Sequence, residues 1–355
     1  MTVAWISSQL FSPYSHSYEH CKAIPYMKNL QRIAIFAALV LAGCGSEKKS
    51  EPSHSDSRSA TAVSIVEPSG AAAECIKRGL RENGLREGFQ GNDRIVVVTD
   101  HAFHCKDPAS ASQFAALRER CLAKALENAK AEIAFAICSS FTSEEIKSDF
   151  SGDAMSSMET SRHSRVVVDG EEEESAVSIR RSVQLTLGGF RVLNVAESWD
   201  PEANVFEMAA AVAWSRKGQQ QGKDEAEGRA EPKAPLSVAE LETWMEGNDK
   251  DILVGPRTVK DENGVLHCLG IGTADADGPP EKARMVSEMS AKKFATYSRL
   301  SRIAVEDVVV DDDYSRRFAE TPVSDKCRFL TLGFQDTVHP VCGKKTVLCI
   351  VEVLP

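Results

Sequence analysis

The chain has 355 residues and a formal net charge of −10, with 42% hydrophobic and 26% charged residues. This composition is typical of globular rather than disordered proteins, and the length is enough for two domains of ordinary size. The acidic balance argues against a nucleic-acid partner, because nucleic-acid binding is dominated by lysine and arginine contacts to phosphate. It also argues against electrostatic docking on anionic lipid, where basic residues provide the attraction.

Residues 27–43 contain, in order, the parts of an export signal. Lys28 and Arg32 precede an apolar run over residues 33–41, and small residues then lead to Cys44. This is the pattern of a secretory signal peptide, and the apolar run is shorter than the roughly 20 residues that a membrane-spanning helix needs. A signal peptide must be N-terminal to engage the export machinery. We therefore expect residues 1–26 to be an over-called start, that is, a translation start assigned too far upstream.

The end of this segment, Leu41-Ala42-Gly43-Cys44, resembles the lipobox of bacterial lipoproteins. The resemblance implies cleavage before Cys44 and acylation of that cysteine, so that acyl chains hold the protein on the membrane. Gly45 rather than aspartate follows, which in lipoprotein families implies passage to the outer membrane. We therefore expect a lipid-anchored protein of the cell envelope, on the outer membrane.

Two polar stretches divide the rest of the chain. Residues 44–70 are rich in serine and charge with almost no aromatic content, so we expect a disordered tether. Residues 217–235 have a similar character and predict a linker between a first unit, residues 71–216, and a second unit, residues 236–355.

The two units have similar patterns. Strand-like runs at residues 95–98 and 265–271 each lead into a long helical pattern, and the sequence Leu-Thr-Leu-Gly follows at residues 185–188 and 330–333. The apolar positions that predict the buried helix faces are Phe114, Leu117, Cys121, Ala125, Ala129, Ile133 and Ala136, and Ala283, Val286, Met289, Phe294, Tyr297, Leu300 and Ala304. The predicted fold is α+β, with two tandem repeats that each pack a long helix on a small antiparallel sheet.

Four segments carry a resemblance to a known family: residues 123–136, Gly-Phe-Arg-Val at 189–192, Ala-Val-Ala-Trp-Ser at 211–215 and Gly-Ile-Gly-Thr-Ala at 270–274. They resemble the bacterial envelope-lipoprotein family typified by the twenty-kilodalton lipoprotein, whose domain is similar to one in flagellar assembly proteins. The resemblance implies an envelope scaffold or assembly role and brings no catalytic residues. This chain departs from the family in its many cysteines and in lacking the Trp-Ser ending in the second unit.

Eight cysteines follow Cys44. They are Cys75, Cys105, Cys121, Cys138, Cys268, Cys327, Cys342 and Cys349. An even number in an exported protein suggests disulfides, and the alternative is that they are free thiols packed as small hydrophobic groups. The connectivity is open except for one pair, because Cys121 and Cys138 on a single helix would lie about 25 Å apart, too far to form a bond.

Two motifs suggest ligands but are incomplete. Gly270-x-Gly272-x-x-Asp275 lacks the third glycine of a dinucleotide-binding loop and no parallel βαβ series follows it. Asp275-Ala-Asp277-Gly278 resembles the start of a calcium loop, but the first ligand position would be Thr273 and the twelfth, where a bidentate carboxylate is needed, Arg284. We therefore expect no cofactor.

Two histidine–cysteine clusters are candidates for a metal site or a catalytic site. In an extended segment His101 and Cys105 face one side and His104 the other, so these three cannot converge on a metal, and no metal site is predicted. His339 and Cys342 resemble a base and a nucleophile, but their turn-like segment favours a packed or disulfide-bonded Cys342.

The leading functional hypothesis is a non-enzymatic scaffold or assembly factor, with the membrane as one partner and an envelope protein as another. One alternative is a small-ligand or peptidoglycan-binding module in the cleft between the repeats, which predicts a concave pocket with convergent polar groups. The other is a thiol or hydrolytic enzyme built on His101 or Cys342, which requires an exposed cysteine of low pKa beside a histidine.

Overall fold

The structure, a computed structural model, describes residues 65–66, 68–91, 93–141, 155–163, 176–230, 233–246, 254–310, 313–323, 327–339 and 342–354. The predicted signal segment, Cys44 and the tether up to residue 64 lie outside these ranges.

The described residues contain thirteen strands and five helices. The strands are β1 (Ile65–Val66), β2 (Gly88–Gln90), β3 (Arg94–His104), β4 (Met155–His163), β5 (Ala176–Leu187), β6 (Arg191–Asp200), β7 (Val205–Ser215), β8 (Gly255–Lys260), β9 (Leu266–Asp275), β10 (Ser301–Val310), β11 (Asp313–Pro322), β12 (Arg328–Val338) and β13 (Lys345–Leu354). The helices are α1 (Ala71–Glu82), α2 (Phe114–Ser140), α3 (Arg216–Ala226), α4 (Val238–Glu246) and α5 (Pro280–Ala295).

The strands form three antiparallel sheets. The N-terminal sheet has the order β1-β3-β7-β6, with β2 also paired to β3. The C-terminal sheet has the order β12-β13-β9-β8. The shared sheet, β11-β10-β5-β4, takes one hairpin from each half of the chain.

The predicted fold class, α+β with two tandem repeats that each pack a long helix on a small sheet, is wrong. The described part of the chain is mostly β, and the shared sheet joins the halves through β5 and β10, where Val183 lies opposite Val305 and Leu185 opposite Ile303. All four side chains are buried in one core. The pattern of a single strand does not identify the strand with which it pairs, so the pairing of β5 with β10 was not predictable.

The first long helix matches its prediction. Helix α2 spans 27 residues, and Phe114, Cys121, Ala125 and Ile133 are among its buried positions. It contacts strands of all three sheets, so its buried surface extends around much of the helix rather than along one stripe. Its length places Cys121 and Cys138 on the same helix, as expected.

The second predicted helix face is wrong. Helix α5 ends at Ala295, so Leu300 and Ala304 are not part of it. Val286 and Met289 are exposed, at 38% and 66% of their surface. The buried face is made of small side chains, namely Ala283, Ser287, Ser290, Ala291 and Ala295, together with Phe294.

Two glycines of β9 explain why that face is small. A Cβ atom on Gly272 would lie 2.1 Å from the Ser287 carbonyl oxygen, and one on Gly270 would lie 1.9 Å from that of Ala291. Helix α5 therefore rests directly on the backbone of β9. Only glycine on the strand and small residues on the helix permit this approach.

The N-terminal and C-terminal sheets match each other in strand order and in one buried carboxylate. Glu207 of β7 accepts hydrogen bonds from the Ser69 and Ala72 amides at the start of α1, at 3.0 and 3.1 Å. Glu352 of β13 accepts one from the Leu236 amide shortly before α4, at 2.9 Å. Each carboxylate thus ties the central strand of its sheet to the segment that enters the helix on one face.

The predicted tether and linker both contribute ordered structure. Residues 65–66 of the tether form β1, which pairs with β3. The linker begins with α3, whose Gly218 lies so close to Gly189 that a Cβ on Gly218 would stand 2.8 Å from the Gly189 oxygen. Buried Gln219 accepts a hydrogen bond from the Gly188 amide and donates one to the Thr186 carbonyl, so it fixes the turn between β5 and β6.

Candidate functional site

The eight cysteines of the described chain are all free thiols. Burial raises the pKa of Cys121 and of Cys349 to about 12, and that of Cys138 to about 11. Cys268 and Cys327 pack against the cluster that holds Cys349. Thiols whose pKa is raised this far, as at Cys121, Cys138 and Cys349, react slowly. The remaining thiols are Cys75, Cys105 and Cys342, of which only Cys105 is buried.

The first histidine–cysteine cluster does not converge. His101 lies within β3, where its carbonyl accepts a hydrogen bond from the Cys121 thiol at 2.8 Å, and burial lowers the pKa of its ring. His104 is exposed and Cys105 is buried. In the parts of the chain that the structure describes, no group of three histidine, cysteine, aspartate or glutamate side chains is placed to hold a metal ion.

The second cluster is assembled from three elements. His339 follows β12 and Cys342 precedes β13, in a turn closed by a 2.7 Å hydrogen bond from the Gly343 amide to the His339 carbonyl. Glu197 comes from β6 of the N-terminal sheet and Arg118 from α2. The cluster therefore lies where the C-terminal sheet meets the N-terminal sheet.

These four side chains form a continuous chain of polar contacts. Cys342 Sγ lies 3.3 Å from His339 Nδ1, and His339 Nε2 lies 2.8 Å from Glu197 Oε2. Arg118 Nε donates to Glu197 Oε1 at 2.6 Å, and Arg118 Nη2 lies 2.5 Å from the same oxygen without the geometry of a hydrogen bond. The His339, Glu197 and Arg118 side chains are at most 3% exposed.

The electrostatics of the cluster fix the orientation of the imidazole. Burial raises the pKa of Glu197, but Arg118 and His339 outweigh it and hold that pKa below its ordinary value. A charged Glu197 is only an acceptor, so His339 carries a proton on Nε2 and its Nδ1 accepts from the Cys342 thiol when the ring is neutral. The ring also packs edge-on against Phe114, with centroids 5.2 Å apart.

A thiol, a base and a carboxylate that orients the base form the general arrangement of a nucleophile site. Burial nevertheless raises the pKa of Cys342, although Arg118 and Lys344 favour its charged form. The low pKa that the enzyme hypothesis required is therefore not found at Cys342. The cluster positions a proton acceptor 3.3 Å from a thiol whose pKa is raised by burial.

The charged members of this cluster were missed in the sequence, although one signal was present. Arg118 stands in the buried stripe of α2 between Phe114 and Cys121, at helical spacing from both. A charged residue at such a position needs a buried partner. Its partner, Glu197, is distant in the sequence and could not be identified from periodicity.

The glycine and aspartate motifs have structural roles. Gly270 and Gly272 receive α5, as described above. Asp275 accepts a hydrogen bond from the Ala115 amide at 3.0 Å, near the start of α2. Lys344 Nζ lies 3.0 Å from Asp277 Oδ2. A lysine ammonium therefore pairs with a carboxylate of the calcium-loop-like motif.

A small depression lies between α3 and the C-terminal sheet. Its lining includes Glu225, Lys233, Cys268, Ser298 and Arg299. It has room for about one water molecule. A depression of this size is too small for the ligand that the binding-module hypothesis requires.

The outer edge of β12 carries exposed apolar side chains. Phe329, Leu330, Phe334 and Val338 are 36–51% exposed, and Arg284 of α5 stands 5.7 Å from the centre of the Phe334 ring. Strand β12 pairs with β13 on one side. Within the described ranges no strand pairs with its other side.

No family model and no curated protein matches the chain. Among solved structures, it is similar to the crystal structure of a hypothetical protein, FTT1539c, from Francisella tularensis. The two share 11% identity with a TM-score of 0.45, over 86% of this chain and 94% of that one. None of the helices in the described residues has the length and apolar character to cross a membrane.

Proposed function

We propose that the protein is a cell-envelope lipoprotein, anchored through Cys44, that acts as a non-enzymatic scaffold or assembly factor by binding another protein along β12. The observation that carries this proposal is the set of exposed apolar side chains on the two faces of an edge strand of 11 residues. An open edge presents unpaired backbone groups, and apolar side chains beside it add affinity for a further strand.

The proposed occupant is an extended segment of a partner protein with apolar side chains. The matched edge in the other sheet supports this choice, because β6 occupies in the N-terminal sheet the position that β12 occupies in the C-terminal sheet, and β6 is contacted by strand β8. Strand β12 has no such neighbour among the described residues. Strand β8 packs near the β6 edge without pairing with it, which makes an extended segment a suitable neighbour for the β12 edge.

The anchoring part of the proposal rests on the Leu-Ala-Gly-Cys sequence that ends at Cys44. We expect mass spectrometry of the protein from its native membrane to find an N-terminal acylated Cys44. The Cys44→Ala variant should lose the acyl chains and leave the membrane fraction. An unmodified chain that retains residues 27–43 in the cytosol would contradict anchoring.

The binding part is tested by photo-crosslinking in the native envelope. A photoreactive amino acid replaces Phe334 on β12 or, as the matched control, Tyr314 on β11, which is also an exposed aromatic on an edge strand. We expect one discrete protein adduct from position 334 and none from position 314. Equal labelling at the two positions, or no adduct at 334, would show that β12 is not the binding edge.

A further inference from the structure

We propose that Cys342 and Cys105 form a disulfide, and that His339 promotes the reaction by accepting the Cys342 proton. Both cysteines are thiols in the structure. The inference concerns the chemistry of the turn before β13 and is independent of what binds to β12.

Strand β6 contacts the segments that carry the two thiols. Glu197 holds His339, whose other nitrogen meets the Cys342 thiol. Two residues further on and on the same face, Trp199 Nε1 donates to the Cys105 carbonyl at 3.2 Å. The His339 ring beside Cys342 and the Cys105 backbone are therefore held by neighbouring residues of one strand.

Further contacts bring the two segments together. Lys344, two residues after Cys342, donates to the Ala111 carbonyl at 2.5 Å, and the Ala111 amide bonds back to the Asp107 carbonyl. Cys105 belongs to the central hydrophobic core, and Cys342 packs against that same core. Burial raises the pKa of Cys105 and the neighbouring Cys342 raises it further, which is a short-range electrostatic effect.

Cys342 is suited to be the attacking thiol. It is half-buried and therefore reachable by a small disulfide, whereas Cys105 is only 5% exposed. It also has a base at 3.3 Å, and the thiolate rather than the thiol is the nucleophile. Cys105 is suited to react second, from within the core.

The reaction is disulfide exchange with an external disulfide, either a small molecule or the disulfide of a thiol oxidoreductase. First, the Cys342 proton moves to His339 Nδ1 and Cys342 Sγ attacks one external sulfur. The external sulfur–sulfur bond breaks, and the departing thiolate takes up the proton that His339 releases.

In the second step Cys105 loses its proton to solvent and its thiolate attacks Cys342 Sγ. The bond between Cys342 and the external sulfur breaks, and that sulfur leaves as a thiolate and is protonated. Two protein thiols are oxidised, and one external disulfide is reduced to two thiols. The new bond joins the end of β3 to the turn before β13.

The experiment uses the reduced full chain and oxidised glutathione as the probe, with proteolysis under non-reducing conditions and mass spectrometry over time. We expect a glutathione adduct on Cys342, followed by a Cys105–Cys342 linked peptide. In the Cys105→Ser variant the adduct on Cys342 should accumulate instead. Cys75, a half-buried thiol on α1, reports general access in every sample.

His339→Gln is expected to slow adduct formation at Cys342 by at least about tenfold and to leave Cys75 unchanged. The wild-type and Cys105→Ser results stand without this variant if it folds poorly. The proposal is overturned if Cys342 pairs with another cysteine, or if it stays unmodified while Cys75 reacts. It is also overturned if folded His339→Gln reacts at the wild-type rate.

Discussion

The N-terminal and C-terminal sheets are built to the same strand order but are completed differently. In the N-terminal sheet the edge strand β6 is contacted by β8, and its side chains Glu197 and Trp199 are engaged with other elements. In the C-terminal sheet the corresponding strand, β12, leaves Phe334 and Val338 exposed. The same topology therefore gives one edge strand that packs near another sheet and one whose apolar side chains stay exposed among the described residues.

A third edge strand is exposed but differs from β12 in its side chains. Strand β11 of the shared sheet is as long as its neighbours and mostly exposed, but its side chains include Arg316, Arg317 and Glu320. Charged side chains protect an edge from unwanted pairing. Strand β12 has only Arg328 and Asp336 along its length, so it lacks this protection.

The two sheets also differ in how their long helix is packed. Helix α2 contacts the N-terminal sheet through large side chains such as Phe114, which meets Phe206 with ring centroids 5.1 Å apart. Helix α5 contacts the C-terminal sheet backbone to backbone, over Gly270 and Gly272. Large side chains can adjust to a substitution, whereas a backbone contact cannot.

The largest effect is therefore expected at Gly272. The Gly272→Val variant places a side chain 2.1 Å from the Ser287 oxygen, and we expect it to lower the free energy of unfolding by at least about 3 kcal/mol or to prevent folding. Urea unfolding measures the change. The control is Gly278→Val, since a Cβ there meets no atom within 4 Å. Equal stability of the two variants would contradict the backbone contact.

The buried carboxylates should come next. Glu207→Ala and Glu352→Ala each leave buried donors without an acceptor, and we expect each to cost about 2 kcal/mol in unfolding free energy. The cost should be larger for Glu352, because His267 Nδ1 lies 2.6 Å from it and also loses its partner. Urea unfolding of both variants tests the ranking, with exposed Glu281→Ala as the control. If both variants unfold like the control, the two carboxylates do not tie their strands to the segments that enter the helices.

The contact between the sheets should give a smaller, pH-dependent effect. The pKa of folded Glu197 lies below its ordinary value of 4.5, so its contribution is complete above about pH 4.5 and is lost as the pH falls through the folded-state pKa. We expect the unfolding free energy to fall in that acidic range and to fall less steeply in Glu197→Gln. Chemical unfolding at a series of pH values measures both slopes. Identical slopes would mean that Glu197 is not held charged by Arg118 and His339.

The smallest effect on stability should come from the binding edge itself. Phe334→Lys removes an exposed ring and its contact with Arg284, and we expect a change below about 1 kcal/mol in unfolding free energy. In a second crosslinking experiment the photoreactive group replaces Leu330, and we expect a protein adduct in the native envelope. Phe334→Lys in the same chain should abolish that adduct. Tyr314→Lys on β11 is the control and should keep it. A Phe334→Lys variant that binds normally would contradict binding of the partner along β12.

The sequence predicted local structure where one element dominates its own pattern. The helical period of α2 was sufficient, because a long buried element repeats its burial many times. The face of α5 was not predictable in this way. Its buried positions hold alanine and serine because Gly270 and Gly272 leave no room for larger groups, and a search for large apolar residues selected Met289, which is exposed.

Contacts between segments that are distant in the sequence were also not predictable. The pairing of β5 with β10 depends on which hairpins meet, and a single sequence carries no record of that. The same holds for the cluster at Cys342. The prediction of a packed or disulfide-bonded Cys342 did not include its neighbours Glu197 and Arg118. Single charges within apolar stretches, such as Arg118 and Glu352, were the available signal, since a buried charge requires a partner.

Amide hydrogen exchange tests the central claim most directly, in the anchored protein in native-envelope vesicles and in the same protein purified in detergent. We predict that the amides of β12 exchange faster than those of β6 in the purified protein and become protected in the vesicles, while β6 is unchanged. Equal exchange of β12 in the two preparations, or β12 as slow as β6 after purification, would contradict the claim that β12 is an edge kept open for a partner.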